Sequence, residues 1–268
     1  MTTTFAREID RPLEHPGAAA GAPPDFATLT GEWVSVSPVA AGVSRVGLRA
    51  RDGVLSVRAT GRGEPRDGEW GERPVDRWYT DGLYSRRVMS FTTTFADERV
   101  VVDLLGYVSH GVLAAFAFHR FADGSGRDFL LRNFCAPAAP GEPAPATTRR
   151  LSEELPAGPN SADDLVGTWR CVDPHGRGIR EISCAWADGG LVVGARGIED
   201  WGRTRAALYV DPTELTFAPA FTTTFDHDFG RIHLYARVNL GLLVVVQLVE
   251  FTDGSGRADH FLRECYRR

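Results

Sequence analysis

Four side chains in the first half of this chain have the types that move protons or hold developing charge: His119, its neighbour Arg120, Tyr79 and Tyr84. Histidine titrates near neutrality and can act as a general acid or base or orient a carbonyl. Arginine and phenol groups can hold an oxygen on which charge develops. Trp78, Tyr79 and Tyr84 surround an Asp81-Gly82 turn, where amphipathic rings could face a ligand. Rim packing, and a histidine held at a surface or interface, are the plainer readings of the same residues. His227 sits between Asp226 and Asp228, a cluster that can hold a metal but also suits a solvated turn. His233 alternates with Arg231, Tyr235 and Arg237 and reads as solvent-facing. Cys135, Cys171, Cys184 and Cys265 lack a zinc spacing and read as reduced thiols, with a Cys171–Cys184 pairing left open.

What must position these groups is written twice. Phe91-Thr92-Thr93-Thr94-Phe95 returns as Phe221-Thr222-Thr223-Thr224-Phe225, an offset of 130 (91 to 221). Phe121 to Arg127 returns as Phe251 to Arg257 at the same offset. Upstream, Leu29-Thr30-Gly31-Glu32-Trp33 matches Leu165-Val166-Gly167-Thr168-Trp169 at an offset of 136 (29 to 165). A unit this long is a domain, since solenoid repeats run about 20–50 residues. The duplication is an internal alignment. The Thr triplets, present in both copies, read as strand-forming residues that serve the fold. His119 aligns with Val249 and Arg120 with Glu250, so both mark divergence between the copies.

Composition narrows the chemistry further. The 268 residues carry a formal charge of −5, which argues against a nucleic-acid partner. All 30 basic residues are arginine, which removes lysine Schiff-base chemistry. There is no phosphate loop, no Gly-x-Ser-x-Gly elbow and no His-Glu-x-x-His, so neither cofactor nor metal is expected. Residues 1–26 lack the apolar core of a secretory signal and read as a disordered arm. The longest apolar run, Leu240 to Val249, is half a membrane span. A soluble, cytoplasmic protein without a membrane partner is the expectation.

The folded units are placed at 27–135 and 164–268, with a Pro-rich, extended linker over 136–163. Inside each unit the hydrophobic period is two, as in Leu55, Val57 and Ala59 against Leu191, Val193 and Ala195. Asp52-Gly53, His110-Gly111 and Asp123-Gly124-Ser125-Gly126 supply tight turns. The expected class is all-β: two tandem eight-stranded up-and-down antiparallel barrels, closed so that no edge is exposed.

Gly31-Glu32-Trp33 and Gly167-Thr168-Trp169 resemble the Gly-x-Trp that opens the first strand of lipocalin-like (calycin) barrels. The resemblance implies a late arginine packed across each tryptophan, for which Arg132 and Arg263 are placed. Strand seven is apolar on both faces in each copy (Val112–Phe118 and Leu242–Leu248), which suggests one face filling the barrel and the other packed on its sister. Ala114, Phe116 and Phe118, with Trp78 and Leu104, are the expected lining of a cavity in the first barrel, roomier than the Val- and Leu-rich second. Tandem barrels of this design resemble cofactor-independent enzymes that cyclise, isomerise or hydrate apolar natural-product intermediates, pericyclic cyclases included. The implied function is a cyclase or isomerase shaping a polyketide- or terpenoid-like substrate, with entropy loss as its main tool. The alternative is a non-catalytic carrier for a small hydrophobic molecule. A homodimer is left open.

Overall fold

In the computed structural model the described residues are 23–37, 39–40, 42–62, 67–122, 124, 126–139, 142–143, 147–148, 161–173, 178–212 and 218–268. The all-β class holds. The first repeat forms β1 (Gly31–Ser35), β2 (Val39–Ala40), β3 (Gly42–Arg51), β4 (Val54–Arg62), β5 (Gly68–Pro74), β6 (Arg77–Thr80), β7 (Val88–Ala96), β8 (Val100–Ser109), β9 (Val112–Phe121) and β10 (Phe129–Pro137). After β11 (Thr147–Thr148), the second repeat forms β12 (Gly167–Cys171), β13 (Glu181–Ala187), β14 (Gly190–Arg196), β15 (Asp200–Asp211), β16 (Ala218–His227), β17 (Gly230–Asn239), β18 (Leu242–Phe251) and β19 (His260–Arg267). The runs β3 to β5 and β6 to β10 in the first repeat and β12 to β19 in the second pair antiparallel with their neighbours. β1 pairs with both β3 and β10, and β12 with both β13 and β19.

The strands do not divide into two separate sheets. Phe129 of β10 bridges Val210 of β15 in parallel, and His260 of β19 bridges Thr80 of β6 in the same sense. These two reciprocal contacts join everything but β2 and β11 into one 17-stranded sheet. They also close a ring of ten strands that runs β6 to β10, crosses to β15 to β19, and returns.

Three clusters of side chains explain why the period-two pattern fails on β8, β9 and β18. β4 alternates buried and half-buried residues because only one face is covered. One face of β9 packs Leu113, Ala115 and Ala117 into the first repeat's own core with Trp33, Leu48 and Phe91. The other face sends Ala114, Phe116 and Phe118 into a core shared between repeats, where they meet Tyr209, Val246 and Leu248. The second repeat has its own core around Trp169, Phe221 and Ile232. Full burial of a Leu, Val or Phe side chain is worth about 1.5–3 kcal/mol, so the shared core is a substantial part of the fold.

Four turns of the same shape connect hairpins, each with two residues at positive φ: Asp52-Gly53, His110-Gly111, Asp188-Gly189 and Leu240-Gly241. Both central residues at positive φ match the right-handed twist of the flanking strands. Of the Asp123-Gly124-Ser125-Gly126 turn, Asp123 and Ser125 lie outside the described residues.

The expected boundaries shift. Phe26 is buried in the first core, so that unit begins before 27. Residues 1–22 of the proposed arm lie outside the described residues. Ala136 and Pro137 belong to β10, and Ala162 is buried in the second core. Within the linker, Thr147–Thr148 pairs in parallel with Val39–Ala40, and Arg45 donates to the Glu142 carbonyl, so these residues are docked on the first repeat.

The arginine expectation is corrected. Trp33 and Trp169 are buried and each donates its indole N–H to a carbonyl four residues upstream, Leu29 at 2.9 Å and Leu165 at 2.8 Å. But Trp33 lies opposite Pro137, and Arg170 opposite Arg267, so that Trp169 falls opposite Arg268; Arg132 and Arg263 are each an odd number of residues from those partners, on the wrong face. Arg132 instead covers Phe134 at 5.1 Å, and the cation over Trp169 is Arg268, at 4.8 Å. None of the four cysteines is in a disulfide. Cys184 pairs opposite Gly167 and Cys171 lies four residues along β12, so their Cα atoms are about 13 Å apart, too far for a disulfide. Burial pushes the Cys135 and Cys184 thiols up to about 12.

Candidate functional site

The richest polar chemistry lies where the repeats meet. β16 and β17 present Thr224 and His233 opposite each other, and the Thr224 hydroxyl is 2.9 Å from His233 Nδ1. His233 Nε2 lies 3.4 Å from Glu250 Oε1 on β18. The carboxylate accepts from Nε2, which leaves Nδ1 to accept the threonine proton. Across the junction Tyr79 donates its phenol proton to the same Glu250 oxygen at 2.9 Å. Arg77 reaches Glu250 at 3.7 Å and Asp259 at 3.6 Å. Gly230, at φ +154°, makes room for this: a Cβ there would stand 1.8 Å from the Glu250 carbonyl oxygen. Burial pushes the Glu250 carboxyl up, but the hydrogen bonds from His233 and Tyr79 and the nearby charges outweigh it and hold the group below its ordinary value. Burial, with the Glu250 charge, drives the Tyr79 phenol far above its ordinary value.

The same construction recurs at 130 residues' remove with different polar groups. Thr94 and Asp103 take the places of Thr224 and His233, with Thr94 donating to Asp103 at 3.0 Å. Arg120 takes the place of Glu250 and donates to Asp103 at 2.8 Å. Tyr209 takes the place of Tyr79 from across the junction, and its phenol, hydrogen-bonded by Thr222, is pushed up to about 12 by burial. One network is Thr–Asp–Arg and the other Thr–His–Glu.

Beside the second tyrosine the junction opens into a cleft of about 470 Å³. Its floor and walls include Thr222, Thr224, Tyr209, Tyr235 and His233 from the second repeat and Asp103 and Phe118 from the first. Phe118 packs edge-on to Tyr209 at 5.1 Å and lies 5.3 Å from Tyr235. Burial, reinforced by the Asp103 charge, raises the Tyr235 phenol. The lining therefore offers hydroxyl donors, the two carboxylates of Asp103 and Asp226, the Arg205 guanidinium, one imidazole, and aromatic surface. Among the described residues no group of three or more His, Cys, Asp or Glu side chains could hold a metal. A hollow of about 570 Å³ on the first repeat, around Phe26 and Arg49, has no such set of interacting titratable groups.

Comparison with known proteins adds little. No family model and no curated protein matches the chain. Among solved structures it is similar to a protein of unknown function from the DUF3598 family of Nostoc punctiforme, at 13% identity over 91% of this chain and 97% of that one, with a TM-score of 0.30. At that score the likeness carries no argument.

Of the residues singled out from the sequence, Tyr79 and Arg120 meet at the junction, one in each network. Ala114, Phe116 and Phe118 come together there too, but not as the lining of a cavity inside the first repeat: their strand parity points them at the second. A gap of about 10 Å³ between Tyr107, Phe116 and Tyr235 is at the lower limit for a single water, so this core is filled. Leu104 faces the opposite way, into the first core. Trp78 stands edge-on to Phe26 at 5.7 Å, and Tyr84 is 45% exposed on its turn, away from both.

His119 is 1% exposed and faces away from the cleft. Its ring stacks on Phe129 at 4.5 Å, with Nδ1 3.0 Å from the Ala117 carbonyl. In the second repeat the pair is exchanged across the strands, Val249 facing His260 where His119 faces Phe129. The histidine that looked peculiar to one copy has a counterpart on the next strand.

The residues missed were Asp103, His233, Tyr209, Tyr235 and Glu250. Their signal was present in the internal alignment: position 103 carries an acid where 233 carries an imidazole, and 120 and 250 carry opposite charge on a shared scaffold.

Proposed function

We propose that the chain folds as tandem lipocalin-like, eight-stranded barrels fused face to face, and that it binds a small ring-bearing molecule with polar edges in the junction cleft. The observation that carries this reading is the 470 Å³ opening between the repeats, floored by aromatic rings and edged by Asp103, His233 and threonine hydroxyls. Pockets commonly form at domain interfaces with a few convergent polar groups. A wholly apolar guest inside the first barrel is not favoured, because the residues expected to receive it are spent on the shared core. Soaking crystals of the full chain with 4-hydroxybenzamide, a neutral ring with hydroxyl and amide edges, tests the site. Density against Thr222, Tyr235 and Asp103 is expected; density elsewhere only, or none, counts against it.

A second reading, the cofactor-independent isomerase or cyclase, is favoured by His233. Its ring reaches the cleft while its Nε2 is held by Glu250, an arrangement that fixes the orientation of an imidazole, the side chain most often used as a general acid or base. Under this reading His233→Asn abolishes conversion of a precursor that the chain still binds. Unchanged turnover in that variant removes His233 from the chemistry.

A further inference from the structure

The junction has two pseudo-equivalent places for such a cleft, and the opening described above is the one beside Ala207. Position 77 corresponds to 207: Arg77 lies opposite Thr92 on β7, and Ala207 opposite Thr222 on β16. The surroundings correspond as well, Tyr79 with Tyr209, Thr94 with Thr224, and Asp103 with His233. Ala207 lines the open cleft. On the other side the same strand position carries an arginine, whose guanidinium crosses the junction to Glu250 and Asp259 and is 55% exposed. The next inward position differs too, Tyr235 in the open cleft against buried Leu105.

We propose that Arg77 is a built-in plug, and that Ala207 is the residue that leaves the cleft open, so that the chain binds one ligand rather than two. The plug is held where a ligand would lie. Its stem covers the strand surface that Ala207 exposes, and its head occupies the acidic pair contributed by the partner repeat. Duplication produced two sites, and the difference between arginine and alanine at one position closed the first. The inference rests on the reading of the junction cleft as the binding site.

Two arms of one experiment separate this inference from that reading. In the first, thermal melting follows Arg77→Ala with methylguanidinium, which replaces the missing head group. The variant should melt lower than the parent chain and recover saturably with millimolar methylguanidinium. The parent, and the Arg77→Ala/Glu250→Gln double variant, should show no such gain. Absence of a saturable gain means that no formed cleft lies beneath Arg77, and the plug falls. In the second arm 4-hydroxybenzamide is counted per chain by calorimetry: one for the parent, two for Arg77→Ala, none for Ala207→Arg. If Ala207→Arg loses the probe while Arg77→Ala still binds one, the open cleft stands and the plug is wrong. If the parent binds none, or Ala207→Arg keeps its probe, the cleft reading fails, and the methylguanidinium arm judges Arg77 independently.

Discussion

Tyr79 and Glu250 stand 171 residues apart in the chain and share a 2.9 Å hydrogen bond across the junction of the two repeats. The bond joins a buried phenol to a nearly buried carboxylate, so neither group has water to fall back on. Tyr79→Phe should therefore cost about 1–3 kcal/mol, because the carboxylate loses a donor without being released to solvent. Urea unfolding of both chains measures it. The corresponding Tyr209→Phe should cost less, since Tyr209 meets an arginine-centred network and not a carboxylate that depends on its proton.

Glu250 also sets a pH signature. Its folded-state value lies below the ordinary 4.5, held down by His233, Tyr79 and nearby charges against the opposing effect of burial. A depressed carboxylate contributes stability that is present above its unfolded value and is lost as pH falls through the folded one. The stability difference between the parent chain and Glu250→Gln should thus be constant near neutrality and shrink as pH drops below about 4.5. Taking the difference matters, because burial raises Asp128, which has the opposite dependence in both chains. Urea titrations of both chains between pH 7 and pH 3 (about the usual carboxylate range) decide it.

The strands, the hairpins and the two-faced β9 and β18 could be read from the sequence because period two is a local property. Which face points where is not local. Phe116 and Leu113 are equally apolar, and nothing in their alternation says that one enters its own repeat's core and the other its neighbour's. The junction site was hidden for a related reason. Asp103, His233 and Tyr235 each look like polar members of a solvated strand face until the second repeat is laid on the first. Only the change of polar type between equivalent positions, Arg120 against Glu250 and Asp103 against His233, hints that they face one another.

The tryptophan at the opening of the second repeat yields a prediction that departs from the arginine placement expected from the sequence. Arg268 lies over Trp169 at 4.8 Å and donates to the Asp164 carbonyl at 2.6 Å, while Arg263 faces away. Arg268→Ala should destabilise the chain by about 0.5–1 kcal/mol through the lost cation–π contact. Arg263→Ala should leave the tryptophan untouched. The fluorescence of Trp169 in a background lacking the other tryptophans reports the difference, shifting in the first variant and not in the second.

The last prediction concerns a residue that the fold tolerates poorly. Four hairpins turn through a first residue at φ near +50°, and three of these residues are Asp52, His110 and Asp188. The fourth is Leu240, at φ +49° and 94% exposed, followed by Gly241. Aspartate, asparagine and histidine are several-fold enriched in this region among non-glycine residues, whereas a leucine has no side-chain hydrogen bond to offset the clash of its Cβ with the backbone. It also gains nothing from burial here. Leu240→Asn should therefore raise stability by about 1 kcal/mol, with little change in cooperativity because no packed contact is altered. Denaturant midpoints of the parent and variant chains measure it, with His110→Asn as the control, where a much smaller gain is expected because histidine already accepts this conformation. A loss of stability in Leu240→Asn would show that the leucine is held by contacts of its own rather than endured at the turn.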